Sequence, residues 1–404
     1  MSDVKVKISA VKDKISVLKA ILANPQMIRV KPSLNWFLLR YMKKFRIKNV
    51  GDRLIIHSHL PPLNSKAYSR FVNEHLLGKS HGPSHAQIGV TNACPQRCAY
   101  CYNRERSGRV MDTGTIMRLI QDLKRMGMFW LGFTGGEPLL NKDLVRIVAS
   151  AGDDCALKLF TTGHRLTAAL ARELEQAGLF SVSVSLDHWL ESEHDRARDY
   201  RGAYRTALQA IETLRKHTTL HVSVSAVLSK SMLRANQVEE FLHFLEGLGV
   251  HEAWLSEAKP SVQAFWDDEL VITEQERLAL VALQDRHNKQ DGMTVNYLAH
   301  FEGREHFGCN AGHKMVYVDA FGNVSPCVFT PMSFGNISDK DIGTLMQEMQ
   351  EYFPSESSCF INRNFKLMQQ HANGSPFLDK AHSAAMMKDV HFTPMAKFFH
   401  LYYS

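Results

Sequence analysis

Residues 91–103 read TNACPQRCAYCYN and place three cysteines, Cys94, Cys98 and Cys101, within eight positions of one another. Thiolates are the preferred ligands of iron-sulfur clusters, and three of them leave the fourth iron of a 4Fe-4S cluster free for an external ligand. The same spacing suits a zinc knuckle completed from elsewhere, or a redox pair with one additional thiol. This cysteine loop therefore predicts metal or redox chemistry without choosing between these possibilities.

A second motif, TGGEP at residues 134–138, follows at the end of the next predicted strand. Its two glycines let the backbone come close to a ligand, and the carboxylate of Glu137 can accept a hydrogen bond from an ammonium group. Alone, GGEP would be an ordinary turn. Following a Cys-x3-Cys-x2-Cys loop, it resembles the corresponding motif of the radical S-adenosylmethionine (SAM) superfamily.

This resemblance implies where the cofactors bind. Cys94, Cys98 and Cys101 would hold a 4Fe-4S cluster, and the remaining iron would bind the amino and carboxylate groups of SAM. The residues expected to contact SAM are Tyr100, Gly135, Gly136, Glu137, Pro138, Thr161, Thr162, Ser185, Asp187 and Ser225. Those from Thr161 onward could equally be turns or caps at strand ends.

The resemblance also implies a reaction. SAM would be cleaved reductively to methionine and a 5′-deoxyadenosyl radical, which would abstract a hydrogen from a substrate. A reductant such as flavodoxin or ferredoxin would supply the electron, and oxygen should inactivate the protein. The protein itself would hold SAM against the target carbon and exclude water. A non-enzymatic electron-relay protein is the alternative, which the intact GGEP motif disfavours.

The pattern around these motifs predicts an α/β fold. From residue 86, short β-like runs alternate with longer amphipathic stretches, which is typical of a parallel sheet. Strands are predicted at residues 87–91, 129–134, 156–161, 181–185, 221–226 and 252–255, with Asp112 and Thr167 as helix N-caps. Six such units form a partial (β/α)6 TIM-like barrel, whose active site lies at the carboxyl ends of the strands.

Three further cysteines, Cys309, Cys327 and Cys359, follow the predicted barrel. The turn at Gly322-Asn323 predicts a hairpin that would bring distant thiols together, as a buried metal site requires. This segment resembles the auxiliary-cluster domains called SPASM and their shortened form, twitch. The resemblance implies one auxiliary 4Fe-4S cluster held by these three thiols; a zinc site or unrelated buried cysteines are the alternatives. Cys155 is predicted to be a small buried residue.

Charge is distributed unevenly along the chain. The chain has 404 residues and a formal net charge of +7, of which residues 1–50 carry +10. Two basic amphipathic stretches, at residues 4–22 and 34–48, are interpreted either as a helical cap on the barrel or as a membrane-surface anchor. We divide the chain into this extension (1–80), the barrel (81–290), a small auxiliary-cluster domain (291–375) and an apolar tail (376–404), which could cover the barrel mouth or face a membrane.

Three classes of substrate are compatible with the sequence. The basic, aromatic extension favours a lipid or membrane-borne substrate and peripheral association with anionic membranes. A peptide or protein side chain is the alternative, and a soluble small molecule a third. Nucleic acid is not expected as a partner, because no RNA-binding module is recognisable. Without an apolar run of membrane-spanning length or a signal peptide, we expect a cytoplasmic protein, with any membrane contact at the inner face.

Overall fold

Parallel strands form the centre of the molecule in a computed structural model that describes residues 23–404. The strands are β1 (Lys48–Val50), β2 (Arg53–Ile55), β3 (His85–Gly89), β4 (Trp130–Thr134), β5 (Ala156–Thr161), β6 (Leu179–Ser185), β7 (His221–Leu228), β8 (Glu252–Glu257), β9 (Thr294–Tyr297), β10 (Met315–Val318) and β11 (Val324–Ser325). The main sheet has the order β11-β10-β3-β4-β5-β6-β7-β8-β9, and its strands are parallel except for β11. β1 and β2 form a separate antiparallel hairpin.

Helices connect and cover the strands. They are α1 (Pro32–Met42), α2 (Lys66–Arg70), α3 (Thr113–Arg125), α4 (Leu144–Ser150), α5 (Ala168–Gln176), α6 (Glu191–Arg198), α7 (Ala203–His217), α8 (Lys230–Arg234), α9 (Val238–Gly247), α10 (Glu274–His287), α11 (Ile342–Gln350), α12 (Phe360–His371), α13 (Lys380–Met387) and α14 (Lys397–Tyr403). The predicted caps are confirmed, because the side chain of Asp112 accepts from Thr115 N and that of Thr167 accepts from Leu170 N. Each cap satisfies an amide that the first helical turn leaves without a partner.

The sheet is curled into a partial barrel. The rings of Phe160 on β5 and Trp254 on β8 lie with their centroids 4.6 Å apart, although two strands separate them in the sheet. In a flat sheet, strands three places apart would be about 14 Å from each other. The contact therefore requires strong curvature, and the inward-facing side chains of β3 to β9 share one interior.

The six predicted strands are all present, with ends that differ by up to two residues. The sheet is larger than predicted, because β9 extends it beyond β8 and β10 extends it on the other side, beside β3. The sheet therefore crosses the predicted domain boundary at residue 290. The hairpin of β10 and β11 is confirmed, with Gly322 in its turn at φ +87°, but it joins the barrel sheet rather than a separate module.

The helices α1 and α14 pack on each other. Leu34 and Leu38 of α1 are buried in one cluster with Phe398, Phe399 and Tyr402 of α14. This packing favours the helical cap for the described part of the extension, and it places the apolar tail against α1. The amphipathic helix predicted at residues 4–22 lies outside the described residues. No helix within residues 23–404 has the length and apolar character needed to cross a membrane.

Candidate active site

A first cavity, of about 320 Å³, lies at the carboxyl ends of the barrel strands. The cysteine loop follows β3 and supplies Cys94, Cys98 and Cys101 to its wall. The predicted SAM-contacting residues that also line it are Tyr100, Gly135, Gly136, Thr161, Thr162, Ser185 and Ser225. Parallel strands end at the same edge of a sheet, which is why residues spread over 130 positions meet here.

The two glycines of the GGEP motif lie against the cysteine loop. Gly136 N donates to Thr91 O at 2.7 Å, and Glu137 N donates to Ala93 O at 2.7 Å. A Cβ atom on Gly136 would lie 2.3 Å from Ala93 O, and one on Gly135, where φ is +123°, would lie 2.2 Å from Thr91 O. These glycines therefore let two backbone segments meet and fix the start of the cysteine loop, in addition to lining the cavity.

Glu137 lies behind the cavity wall rather than on it. Its carboxylate is fully buried and accepts from Leu139 N at 3.0 Å, Thr161 Oγ1 at 2.6 Å, Thr162 N at 2.6 Å and Thr162 Oγ1 at 2.5 Å. Burial raises the pKa of Glu137 even though these hydrogen bonds favour the charged form. Four protein donors thus already occupy the carboxylate, and its contact with the ammonium group of SAM stays a prediction. Pro138 is also buried, as the first residue of the short 3-10 helix Pro138–Leu140.

Asp187 likewise lies outside the cavity lining and is paired within the protein. Its carboxylate forms an ion pair with Arg198 at 2.8 Å and accepts from Val227 N at 2.9 Å and from the hydroxyl of Tyr100. Burial alone would raise the pKa of Asp187, but Arg198, His194 and the hydrogen bonds to the carboxylate together lower it. Arg198 in turn directs Nη1 at Cys98 Sγ, 3.9 Å away. Asp187 therefore fixes a buried cation beside one thiol of the loop.

A second cavity, of about 210 Å³, contains the other three thiols. Cys309, Cys327 and Cys359 all line it, together with apolar side chains from α1 and α14. Backbone hydrogen bonds draw these distant segments together: Cys309 N donates to Glu356 O at 2.7 Å, and Gly312 N donates to Pro326 O at 2.8 Å. Cys155 is absent from both linings and is buried in the main core, as expected.

The two cavities adjoin. Lys259, Leu298 and Phe329 line both of them. Lys259 is buried, its ammonium pairs with the Glu257 carboxylate, and its Nζ lies 3.6 Å from Cys359 Sγ. The second set of thiols is therefore separated from the first cavity by a wall of single side chains.

A buried arginine joins the cysteine loop to the C-terminal hairpin. Arg106 Nη1 contacts Asp319 Oδ2 at 3.2 Å and donates to Ser325 Oγ at 3.0 Å, while Nη2 donates to Thr330 O at 3.3 Å. Its guanidinium carbon also lies 4.8 Å from the ring centroids of Tyr317 and Phe377. The loop is thus supported at its beginning by Gly135 and Gly136 and just beyond its end by Arg106.

The donor atoms in both cavities fit iron-sulfur clusters. Each cavity presents three cysteine sulfurs, which can bind three irons of a 4Fe-4S cluster and leave the fourth iron for another ligand. Within residues 23–404, no three histidine, cysteine, aspartate or glutamate side chains are arranged to hold one metal ion. A cubane cluster binds each thiolate at a different iron, so its ligands need not converge on one point. The first cavity also has polar strand-end groups of the kind that a nucleoside and an amino acid group need.

Sequence reasoning did not identify Arg106, Arg198 or Lys259. No local motif marks them, because each acts on groups far away in the sequence. Arg198 and Lys259 each lie 100 residues from the cysteine that they face. A buried lysine or arginine is uncommon without a partner, but burial itself is not visible in the sequence.

Two family models match the chain. The radical SAM superfamily model matches residues 88–245, and the SPASM model, described as an iron-sulfur cluster-binding domain, matches residues 309–369. The first model begins within β3 and covers the cysteine loop and the strands β4 to β7. The second covers all three thiols of the second cavity. A radical SAM domain implies a 4Fe-4S cluster and SAM, and a SPASM domain implies auxiliary iron-sulfur clusters.

Curated relatives share these domains. The PqqA peptide cyclase of Bradyrhizobium diazoefficiens is 33% identical over 150 residues, which are 36% of this chain and 39% of the relative. The mycofactocin maturase MftC of Mycolicibacterium smegmatis is 27% identical over 255 residues, or 59% of this chain and 63% of the relative. The matches therefore span less than two thirds of either relative.

The solved structures give the fold. Streptococcus suis SuiB bound to precursor peptide SuiA superposes with a TM-score of 0.56 at 12% identity, covering 78% of each chain. The chain therefore contains a radical SAM domain at residues 88–245 and a C-terminal iron-sulfur cluster-binding SPASM domain at residues 309–369.

Proposed function

We propose that this chain is a radical SAM maturase that modifies a peptide or protein side chain. The observation that carries this proposal is the pair of adjoining cavities, each with three thiols, which share Lys259, Leu298 and Phe329. A substrate in the first cavity would lie between the two sets of thiols. Two curated relatives are named for peptide cyclisation and maturation, and one structural neighbour was solved with its precursor peptide, which supports a peptide over other substrates.

The residues of the two cavities have different tasks. When bound, the cluster at Cys94, Cys98 and Cys101 and SAM together supply reductive formation of a 5′-deoxyadenosyl radical. Gly135 and Gly136 hold the cysteine loop in position and line the site. Hydroxyl groups of Ser185 and Ser225 at the strand ends provide hydrogen bonds for the cofactor, while that of Thr161 holds Glu137. Cys309, Cys327 and Cys359 hold the auxiliary cluster, which would accept the electron left when a substrate radical is oxidised.

A lipid substrate has less support. The aromatic residues of the extension that suggested it are mostly packed inside the protein: Tyr41 and Phe45 are buried, and the Phe37 ring lies 5.2 Å from that of Phe307. Trp36, which is 60% exposed, remains available to a membrane surface. Neither the peptide cyclase nor the maturase is named for a lipid. Peripheral membrane contact thus loses three of the four aromatic side chains on which its prediction rested.

Isotope transfer tests the substrate class directly. The reconstituted protein would be incubated anaerobically with SAM, a strong reductant and one of three fully deuterated pools: tryptic peptides, total lipids as vesicles, or soluble metabolites. Abstraction breaks a carbon-deuterium bond and places the deuterium on the 5′ carbon. Mass spectrometry of 5′-deoxyadenosine therefore reports the substrate class even when the modified product is unidentified. We expect deuterium from the peptide pool.

Controls separate chemistry from substrate choice. Cys98→Ala should abolish 5′-deoxyadenosine formation altogether, since it removes a ligand of the first cluster. Deuterium from the lipid or metabolite pool alone would overturn the peptide assignment while leaving the radical chemistry intact. Failure of the wild type to form 5′-deoxyadenosine, with its cluster loaded, would instead favour the electron-relay alternative.

A further inference from the structure

Lys259 occupies an unusual position for a lysine. Its side chain is 3% exposed, it follows the carboxyl end of β8, and it lines both cavities. Its Nζ lies 3.6 Å from Cys359 Sγ, within the range of an N–H···S hydrogen bond. Generation of the radical makes no use of this side chain. It needs an explanation because burying an ammonium group is costly unless its charge is compensated.

Neighbouring carboxylates keep the Lys259 ammonium charged and hold it beside Cys359 Sγ. Glu257 contacts Nζ directly, and Glu302 Oε1 lies 3.6 Å away. Asn362 Nδ2 donates to Glu257 Oε1 at 3.3 Å and so restrains that carboxylate. Asn362 belongs to α12, which starts immediately after Cys359. The carboxylate, the lysine and the thiol are therefore held as one unit, and the ammonium can direct a hydrogen toward the sulfur.

We propose that Lys259 is a positioning residue that donates an N–H···S hydrogen bond to the Cys359 thiolate and thereby raises the reduction potential of the auxiliary cluster. The proposal rests on the proposed function in one respect, the assignment of Cys359 as a cluster ligand. Hydrogen bonds to cluster sulfurs and nearby positive charge stabilise the reduced, more negative form. A cluster so biased is a better acceptor for an electron leaving a substrate in the first cavity.

The placement of Lys259 adds a reason for this role. Because the side chain forms part of the wall between the cavities, it is within reach of both the auxiliary thiols and a substrate. A second buried lysine provides a matched comparison. Lys314 also lines the second cavity, but its ammonium donates to the backbone carbonyls of Ser80 and Gly82 rather than to sulfur.

The experiment measures the midpoint potential of the auxiliary cluster. A background variant with Cys94, Cys98 and Cys101 changed to Ala leaves the auxiliary cluster as the source of the signal, which is followed by electron paramagnetic resonance in an anaerobic redox titration. Lys259→Met, the double variant Glu257→Gln/Lys259→Met, and Lys314→Met are compared in this background. The double variant removes both charges of the pair, so it folds without an uncompensated buried carboxylate and isolates the hydrogen bond from net charge.

We expect the midpoint potential of the auxiliary cluster to be highest in the background variant, lower in the double variant and lowest in Lys259→Met. The double variant should lower the one-electron reduction constant at least tenfold, which corresponds to about 59 mV. Lys259→Met should lower it further, because Glu257 then adds an unopposed negative charge. Lys314→Met should lower the potential less than either Lys259 variant does, because it removes a charge from the cavity lining but no hydrogen bond to sulfur. Equal potentials in the double variant and the background, with equal iron content, would overturn the proposal, as would an equal fall in Lys314→Met.

One further variant distinguishes a wrong ligand assignment from a wrong role for Lys259. Cys359→Ser should reduce auxiliary iron content or alter the cluster signal, since oxygen is a poorer ligand for iron-sulfur clusters than sulfur. An unaltered cluster in Cys359→Ser would refute the ligand assignment and the proposal with it. An altered cluster combined with unchanged potentials in both Lys259 variants would refute the proposal alone. Neither result depends on the identity of the peptide substrate.

Discussion

The two sets of thiols are built in different ways. Cys94, Cys98 and Cys101 come from one loop of eight residues, which is held by its neighbours in sequence and by the Gly135-Gly136 turn. Cys309, Cys327 and Cys359 come from three segments that tertiary structure brings together. The first site is therefore visible as a motif, whereas the second depends on the whole C-terminal fold.

In one respect the two regions are alike. Arg198, held by Asp187, faces Cys98, and Lys259, held by Glu257, faces Cys359. Each site thus places one buried cation beside one thiol and fixes that cation with a carboxylate. The difference in cation is informative, because arginine stays charged in any setting while lysine depends on its partners. The auxiliary site is consequently the more easily altered of the two.

The largest expected effect comes from Gly136→Ala. Its Cβ would lie 2.3 Å from Ala93 O, so the start of the cysteine loop must move. We expect 5′-deoxyadenosine formation to fall about 100-fold, as a misplacement of about 1 Å can cause. Iron at the auxiliary site should be retained. Iron analysis and product quantification check both parts.

Gly247→Ala serves as its control, because nothing lies within 4 Å of a Cβ at that position. It should leave activity and iron content unchanged. Loss of auxiliary iron in Gly136→Ala would contradict the view that the two sets of thiols are built independently. It would show that the two sites assemble as one unit.

Arg106→Met tests the connection between the two regions. Arg106 and Asp319 are both buried, and removing one partner leaves an uncompensated charge. We expect the free energy of unfolding to fall by about 3 to 5 kcal/mol, as is typical for a broken buried pair. Urea denaturation measures this. Arg104→Met, at a residue whose side chain is 53% exposed, should change the free energy by less than about 0.5 kcal/mol; comparable losses in both variants would contradict the role given to Arg106.

Lys158 is a buried lysine that contacts a hydroxyl group instead of a thiol, and it can be compared with Lys259. It donates to Ser58 Oγ at 2.6 Å, and burial lowers its pKa to about 7, although Glu252 opposes the shift. Between this pKa and the ordinary value of 10.5, the unfolded chain binds a proton that the folded chain does not, so Lys158 makes stability rise with pH. From pH 7 to pH 9 the contribution is about 2 kcal/mol.

Lys158→Met should remove that contribution. The measurement is the free energy of unfolding of both proteins at pH 7 and pH 9, with the difference between them as the result. An identical pH dependence in the two proteins would show that Lys158 keeps its proton in the fold.

The smallest effect is expected at the seventh cysteine. Cys155 is 4% exposed in the main core, and burial raises the pKa of its thiol to about 12. Cys155→Ala should cost about 1 kcal/mol of stability and leave iron content and activity unchanged. An iron assay checks this. Loss of iron would mean that the thiols do not divide into two sets of three.

The sequence was sufficient where interactions are local. The cysteine loop, the GGEP turn and the caps at Asp112 and Thr167 are all short-range patterns, and the strand pattern predicted the barrel centre. The sequence was insufficient where strands pair with partners that are far away in the sequence. Neither β9 nor β10 was predicted as a barrel strand, because each has four residues and finds its partner only through the sheet.

The buried charges show the same limit. Glu137 and Asp187 were expected to contact SAM because of the resemblance to the radical SAM superfamily. In the structure their oxygens are occupied by Thr161, Thr162, Tyr100 and Arg198. Such partnerships cannot be read from spacing, and the roles proposed for the site residues in binding SAM stay predictions.

The pairing of β10 with β3 also has a consequence for synthesis of the chain. The paired residues Met315 and His85 are 230 positions apart. At ribosomal rates of roughly 5 to 20 residues per second, the cysteine loop emerges more than about 10 seconds before the strand that completes its side of the sheet. During that interval its thiols are exposed to oxidants and to stray metals. The length of this interval thus depends on how quickly translation reaches the C-terminal hairpin.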